Sequence, residues 1–311
     1  MKKIYLLFTC LFFTFIIIKA QVNYSFSASS GTYISISGGT SPTLLPNQNG
    51  PDSDEGFANG LPIGFSFTYN GTAYTTIGVS ANGFAYFGSG GLSYASNTFT
   101  NNLTSGQDNT VRPIIAPLWD DLDLQANANL QFTTSGSAPN RIFTLQWANV
   151  KWTYSGTSAA ISFQLKLFET TGVIQFIYNQ EAGALTGSAS ASIGLTTSAT
   201  GPGAFLSLQN ATTSPTKTAT INVKPATGQI YTFTPLSGCS STPTSGTSSS
   251  NFATACSNQA FTLSLTGQTS ATGIGVQWQR SNTGANTWTN IIGATTAIVT
   301  TSQTVDSDYR C

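Results

Sequence analysis

The sequence predicts an all-β protein: a large β-sandwich followed by a shorter, incomplete one. Three observations carry this. Segment after segment alternates apolar and polar residues at period two, as Ile161-Ser162-Phe163-Gln164-Leu165-Lys166-Leu167 does, which is the pattern of a half-buried strand. Tight-turn signals separate these segments, notably Asn70-Gly71 and Thr170-Thr171-Gly172, whose residues tolerate the positive φ of a hairpin turn. No stretch reads as an amphipathic helix.

The elements follow in order. Lys2 and Lys3 precede an apolar run over 4–18, and Lys19-Ala20-Gln21 ends it, which is the form of a secretory signal peptide over residues 1–20. That run is shorter than the roughly 20 residues a spanning helix needs, and no second one follows, so no membrane-spanning segment is expected in the exported part. Strands are expected at 24–28, 33–37, 63–69, 73–79, 84–87, 114–118, 130–133, 142–150, 161–167, 173–178, 191–196, 205–208 and 229–234, filling one sandwich over 21–235. Residues 236–255 are rich in Ser, Thr, Pro and Gly and read as a linker. The second sandwich is expected over 256–311, with strands at 261–265, 275–279 and 306–311.

Two resemblances rest on quoted residues. Val79-Ser80-Ala81-Asn82-Gly83-Phe84, Ile115-Ala116-Pro117-Leu118-Trp119-Asp120-Asp121, Phe143-Thr144-Leu145-Gln146-Trp147 and Phe163-Gln164-Leu165-Lys166-Leu167 resemble, in kind and order, the nidogen-like extracellular domain over about 62–195. That resemblance implies an adhesive or matrix-associated β domain without enzymatic activity, and puts Trp119 and Trp147 in the core. Gly275-Val276-Gln277-Trp278-Gln279 and the terminal Asp306-Ser307-Asp308-Tyr309-Arg310-Cys311 resemble strands C and F of an immunoglobulin-like repeat, with Trp278 and Tyr309 as core positions. Strand G would come after Cys311, so the second sandwich is expected to be an Ig-like domain truncated before that strand, within a longer surface protein.

Composition excludes whole classes of function. Of eleven basic residues, Lys2, Lys3 and Lys19 belong to the leader, leaving eight against eleven acidic ones, a net of −3. Scattered singly, those eight cannot make the basic patch that nucleic acid requires, so no nucleic-acid partner is expected. Charged residues are 7% of the chain against about 25% in an average protein, so solubility rests on Ser, Thr, Asn, Gln and Gly, as suits an extracellular module. With no histidine, Ser-His and Cys-His nucleophiles and His-ligated zinc cannot be assembled. Paired carboxylates remain as the only catalytic option, from Asp120, Asp121, Asp123, Glu169 and Glu181, each of which has a simpler reading as a solvated or capping acid.

Four candidate features stand out. Asp120, Asp121 and Asp123 could supply oxygen ligands to calcium, although the spacing lacks the glycine and terminal glutamate of an EF-hand loop, and a carboxylate accepting backbone bonds at a strand end explains Asp120 more simply. Asp52-Ser53-Asp54-Glu55 reads as a solvated acidic turn. Trp152 and Tyr154 lie past a regular strand and form the best candidate for an exposed pair stacking on a ligand. Cys256 is expected to pair with Cys239 or Cys311. It lies seven residues before Leu263, where a strand B cysteine would stand, and seven strand residues span roughly 23 Å, so a Cys256–Cys311 bridge needs another register.

The resulting expectation is a secreted or cell-surface, non-catalytic protein in adhesion or matrix contact, with an extracellular protein or glycan surface as partner and no cofactor beyond possible calcium. The alternatives are accessory or spacer modules of a carbohydrate-active enzyme, and a structural stalk.

Overall fold

The computed structural model describes residues 21–88, 90–104, 111–185, 187–201, 203–210, 212–214, 218–236, 244–269 and 275–311. The predicted signal peptide and Cys239 lie outside these residues. The chain divides into two compact units, the first ending at Pro235 and the second comprising Leu236–Cys311.

Among the described residues the first unit holds thirteen strands: β1 (Tyr24–Ser30), β2 (Phe57–Tyr69), β3 (Thr72–Ser80), β4 (Phe84–Tyr86), β5 (Ile114–Trp119), β6 (Leu130–Ser135), β7 (Ile142–Val150), β8 (Ile161–Phe168), β9 (Ile174–Gln180), β10 (Ser192–Thr196), β11 (Phe205–Gln209), β12 (Thr212–Ser214) and β13 (Gln229–Pro235). They form a six-stranded sheet in the order β1-β13-β9-β8-β7-β6 and a seven-stranded sheet in the order β12-β11-β10-β5-β4-β3-β2. Every paired neighbour is antiparallel, so short turns suffice for most connections. At the β2–β3 turn Asn70 has φ 46° and Gly71 φ 82°, as a type I′ turn requires at both central positions.

Alternation places one face of each sheet in a shared core. Leu145 faces Leu165 and Trp147 faces Phe163 across β7–β8, the latter rings stacked with centroids 5.0 Å apart. The sheets are also tied by hydrogen bonds: Trp147 Nε1–H donates to the Ser80 carbonyl (3.0 Å) and the Tyr178 hydroxyl to the Pro117 carbonyl (2.7 Å). A buried Trp or Tyr is stable only when its polar atom finds such a partner. Trp119 is buried in a second apolar cluster with Phe57, Phe84 and Tyr86, its indole donating to the Thr98 carbonyl (2.7 Å).

Three local expectations are corrected. Residues 33–37 do not join a sheet ladder; side-chain amides hold them instead. Gln146 Oε1 accepts the Ile36 N–H (2.8 Å) while Gln164 Nε2 donates to the Ile34 carbonyl (2.7 Å). The acidic turn is not a simple solvated loop, because Asp52–Glu55 forms a single helical turn, α1, with Glu55 only 3% exposed. Part of the predicted linker, Thr247–Ser250, is a strand, β14, which pairs with the next one.

In the second unit β14, β15 (Phe261–Thr266), β16 (Gln279–Asn282), β17 (Thr289–Asn290), β18 (Ile298–Thr301) and β19 (Ser307–Arg310) make two three-stranded sheets, β14-β15-β18 and β17-β16-β19. Trp278 is fully buried among Phe261, Leu263 and Leu265 and donates its indole N–H to the Thr296 carbonyl (2.9 Å). The strand expected at 275–279 begins only at Gln279. Tyr309 is half-buried, edge-on to Phe261 at 5.4 Å. No helix among the described residues is long and apolar enough to cross a membrane.

Gly78 on β3 lies opposite Tyr86 on β4, and a Cβ there would come within 2.1 Å of the phenol ring. Gly78→Ala therefore displaces a fully buried ring and is expected to cost about 1–3 kcal/mol, read from the shift of a denaturant midpoint.

Candidate functional site

The polar chemistry of the first unit concentrates at one end of the sandwich. Register brings there the start of β2, the end of β3, the start of β4 and the end of β5. The three aspartates of the Trp119-Asp120-Asp121-Leu122-Asp123 segment arrive together but diverge. Asp120 is 3% exposed. Its Oδ2 accepts the Trp152 indole N–H (2.7 Å) and the Ser190 N–H (2.6 Å), and its Oδ1 accepts the Asp121 N–H (3.0 Å). Asp123 Oδ2 pairs with Lys151 Nζ (2.7 Å) and its Oδ1 accepts the Gln125 N–H (2.6 Å). Of the three aspartates expected as calcium ligands, Asp120 and Asp123 thus each take separate protein donors.

Asp121 instead meets α1. One carboxylate oxygen each from Asp54, Glu55 and Asp121 lies within 4.8 Å of the others. Glu55 is fixed through Oε2, which accepts Asn82 Nδ2–H (3.0 Å) and the Thr98 hydroxyl. Asn82 is itself fully buried, its Oδ1 accepting the Leu122 N–H (2.7 Å), so one amide couples the β3–β4 turn to both acidic segments. Backbone bonds from Leu124 N–H to the Ser53 carbonyl and from Ala81 N–H to the Gly56 carbonyl, both 2.8 Å, pin α1 in place. Gly83, with φ 78°, completes the turn where a Cβ would strike the Leu118 carbonyl at 2.0 Å.

Acidic groups outnumber cations here. Lys151, the nearby cation, is held by Asp123. Burial, reinforced by Asp121 and Asp123 and opposed by Lys151, pushes the Asp54 carboxyl up to about 6. Burial, with Asp121 and Asp54 adding to it against the Thr98 and Asn82 hydrogen bonds, pushes Glu55 up to about 7. Asp121 is raised by burial and then by Asp120. Asp54 Oδ1 is shut off from solvent without a hydrogen-bond partner.

The remaining sequence candidates are distributed elsewhere. Trp152 is 1% exposed and bound to Asp120, which corrects its assignment to a stacking surface, whereas Tyr154 is 61% exposed. Glu169 pairs with Arg141, and Glu181 accepts from Ser162 (2.6 Å) and Asn179 (2.9 Å), so neither faces the acidic cluster through a shared partner. Cys256 and Cys311 are exposed and unbridged, so the Cys256–Cys311 pairing is not formed; Cys239 lies outside the described residues. Sequence reasoning saw both acidic segments yet missed their union, because Glu55 and Asp121 are brought together only by closure of the seven-stranded sheet.

A family model described as NIDO related matches residues 23–235, a wider span than the 62–195 over which the motifs resemble nidogen-like domains. No curated protein and no solved structure matches the chain.

Two expectations follow from this geometry. Carboxyls whose folded pKa is raised stabilise the fold below their unfolded pKa near 4, and that stabilisation is lost as pH rises through about 6 to 7. With a chelator present, stability is therefore expected to fall by on the order of 1–3 kcal/mol between pH 5 and pH 8. Glu55→Gln, which keeps an acceptor for Asn82 and Thr98, is expected to flatten that dependence in pH-resolved thermal melts. Trp152→Ala removes a buried ring and one of the two donors to Asp120 Oδ2, and is expected to cost about 3–5 kcal/mol in equilibrium unfolding.

Proposed function

The chain belongs to the NIDO-related family, and from that membership we propose that it is a secreted or cell-surface multidomain protein acting in adhesion or extracellular matrix contact, without catalysis in these residues. The observation that carries the reading is the match over 23–235, which makes the first unit an extracellular-type module. The leader-like residues 1–20 support export, and a surface whose solubility rests on neutral polar side chains suits a contact module. The second unit is read as an immunoglobulin-like repeat on the strength of Trp278, buried between two three-stranded sheets at the position of the strand C tryptophan. The absence of histidine from the whole sequence supports a non-catalytic role.

The partner proposed is an extracellular protein or glycan surface. Tyr154, exposed beside the Trp152–Asp120 clamp, offers an aromatic face that such a surface can cover. The test is binding of the purified protein to immobilised matrix proteins and to a glycan array. Saturable binding to either supports the reading; binding to neither, with hydrolysis of a polysaccharide, overturns it. For glycan binding through this face, Tyr154→Ala is expected to weaken affinity roughly 3- to 10-fold while leaving the melting temperature unchanged.

A further inference from the structure

We propose that Asn70, at the tip of the β2–β3 turn, is a site of self-modification by deamidation, and that the fold restrains the chain's other Asn-Gly pairs from the same reaction. The sequence holds four such pairs: Asn49-Gly50, Asn59-Gly60, Asn70-Gly71 and Asn82-Gly83. In the reaction the Gly71 backbone nitrogen attacks Asn70 Cγ. The new N–C bond forms as the Cγ–Nδ2 bond breaks, the side-chain nitrogen leaves as ammonia with the proton from the Gly71 N–H, and a five-membered imide results. Water then opens the imide at either carbonyl, giving aspartate or an isoaspartate whose main chain runs through the former side chain. Glycine permits the attack because it carries no Cβ to crowd the nucleophile.

Three features set Asn70 apart. Its Oδ1 accepts the Asn23 N–H (3.0 Å), a donor placed where negative charge builds when Cγ is attacked. Its Nδ2 is closed off from solvent without a hydrogen bond, so departure of that nitrogen breaks none and removes a buried donor that is costly to leave unpaired. No acceptor among the described residues takes the Gly71 N–H, and Gly71 is exposed, with no atom within 4 Å of where a Cβ would stand. The other pairs are held. Asn82 is fully buried, its Nδ2 donating to Glu55 (3.0 Å) and Thr98 (3.1 Å), and the Gly83 N–H goes to the Ser80 carbonyl (3.3 Å). Asn59 Nδ2 donates to the Leu92 carbonyl (3.0 Å), and Asn49 Nδ2 to Asn47 Oδ1 (2.9 Å) and the Ser96 carbonyl (3.3 Å). In each of these the nitrogen must give up a bond to leave. The consequence is structural, because Asn23 stands just before β1 at the edge of one sheet and Asn70 follows β2 at the edge of the other, so their bond ties the two sheets. Isoaspartate adds a methylene to the turn backbone, displaces that acceptor and introduces a negative charge.

The experiment is mass-spectrometric peptide mapping of the purified protein aged in mildly alkaline buffer, with isoaspartate detected by enzymatic methylation, beside a second sample aged in urea. In the folded protein conversion is expected at Asn70 at least about tenfold faster than at Asn49, Asn59 or Asn82, the factor that one retained hydrogen bond sets. In urea the four rates are expected to converge, since the bonds that separate them are gone. Gly71→Ala is expected to suppress conversion at Asn70 and to leave the other three sites unchanged. No conversion at Asn70 in the folded protein, or conversion no faster than at the three held pairs, overturns the proposal, as does undiminished conversion in Gly71→Ala. Should Gly71→Ala, forced to a φ of 82°, fail to fold, the wild type decides alone: a lead for Asn70 that is present folded and lost in urea supports the site, and equal ranking in both overturns it.

Discussion

The architecture of the first unit depends on the buried carboxylate of Asp120. It stands where β5 leaves the seven-stranded sheet and takes donors from Trp152, just after β7 of the other sheet, and from Ser190, just before β10. One side chain thereby closes the end of the sandwich across both layers. A charged group is tolerated there because its oxygens meet the indole and backbone N–H groups that burial would otherwise leave orphaned. That commitment also decides the chemistry next door. With Asp120 facing inward, Asp121 is directed toward α1 and Asp123 toward Lys151, so three acids close together in sequence serve three different purposes.

Much of this was legible beforehand, and the reason is physical. Period-two alternation reports burial on one face, so β7, β8 and β9 could be read nearly to their ends, and the Asn70-Gly71 turn announced itself because few other residue pairs accept two positive φ values. The pattern fails where strands lack an apolar face. Thr247–Ser250 is polar on both sides and becomes a strand only by pairing with β15, while Tyr33-Ile34-Ser35-Ile36 alternates well yet is held by the Gln146 and Gln164 amides outside any ladder. Alternation reports what a segment buries, and says nothing of what its backbone bonds to.

The site was legible only in halves. Both acidic segments are visible in the chain, but Glu55 and Asp121 are 66 positions apart and meet through a sheet that orders β2, β3, β4 and β5 side by side. Trp152 shows the converse error. Lying past a regular strand, it had the sequence profile of an exposed aromatic, yet its ring packs in the main core with its indole N–H on Asp120, which no local pattern encodes.

The composition gives the cluster its weight. This chain meets nearly all its polar needs without charge: where the outer face of the six-stranded sheet must hold residues 33–36, it uses the amides of Gln146 and Gln164, and where α1 meets the β3–β4 turn it uses Asn82. Against that habit, Asp52, Asp54, Glu55, Asp120, Asp121 and Asp123, six of the eleven acidic residues in the sequence, fall in two short segments that converge at one end of one sandwich. Asp120 and Asp123 are accounted for by their donors. Glu55 takes the Asn82 and Thr98 donors, and burial, with the neighbouring acids adding to it, raises the carboxyls of Asp54, Glu55 and Asp121.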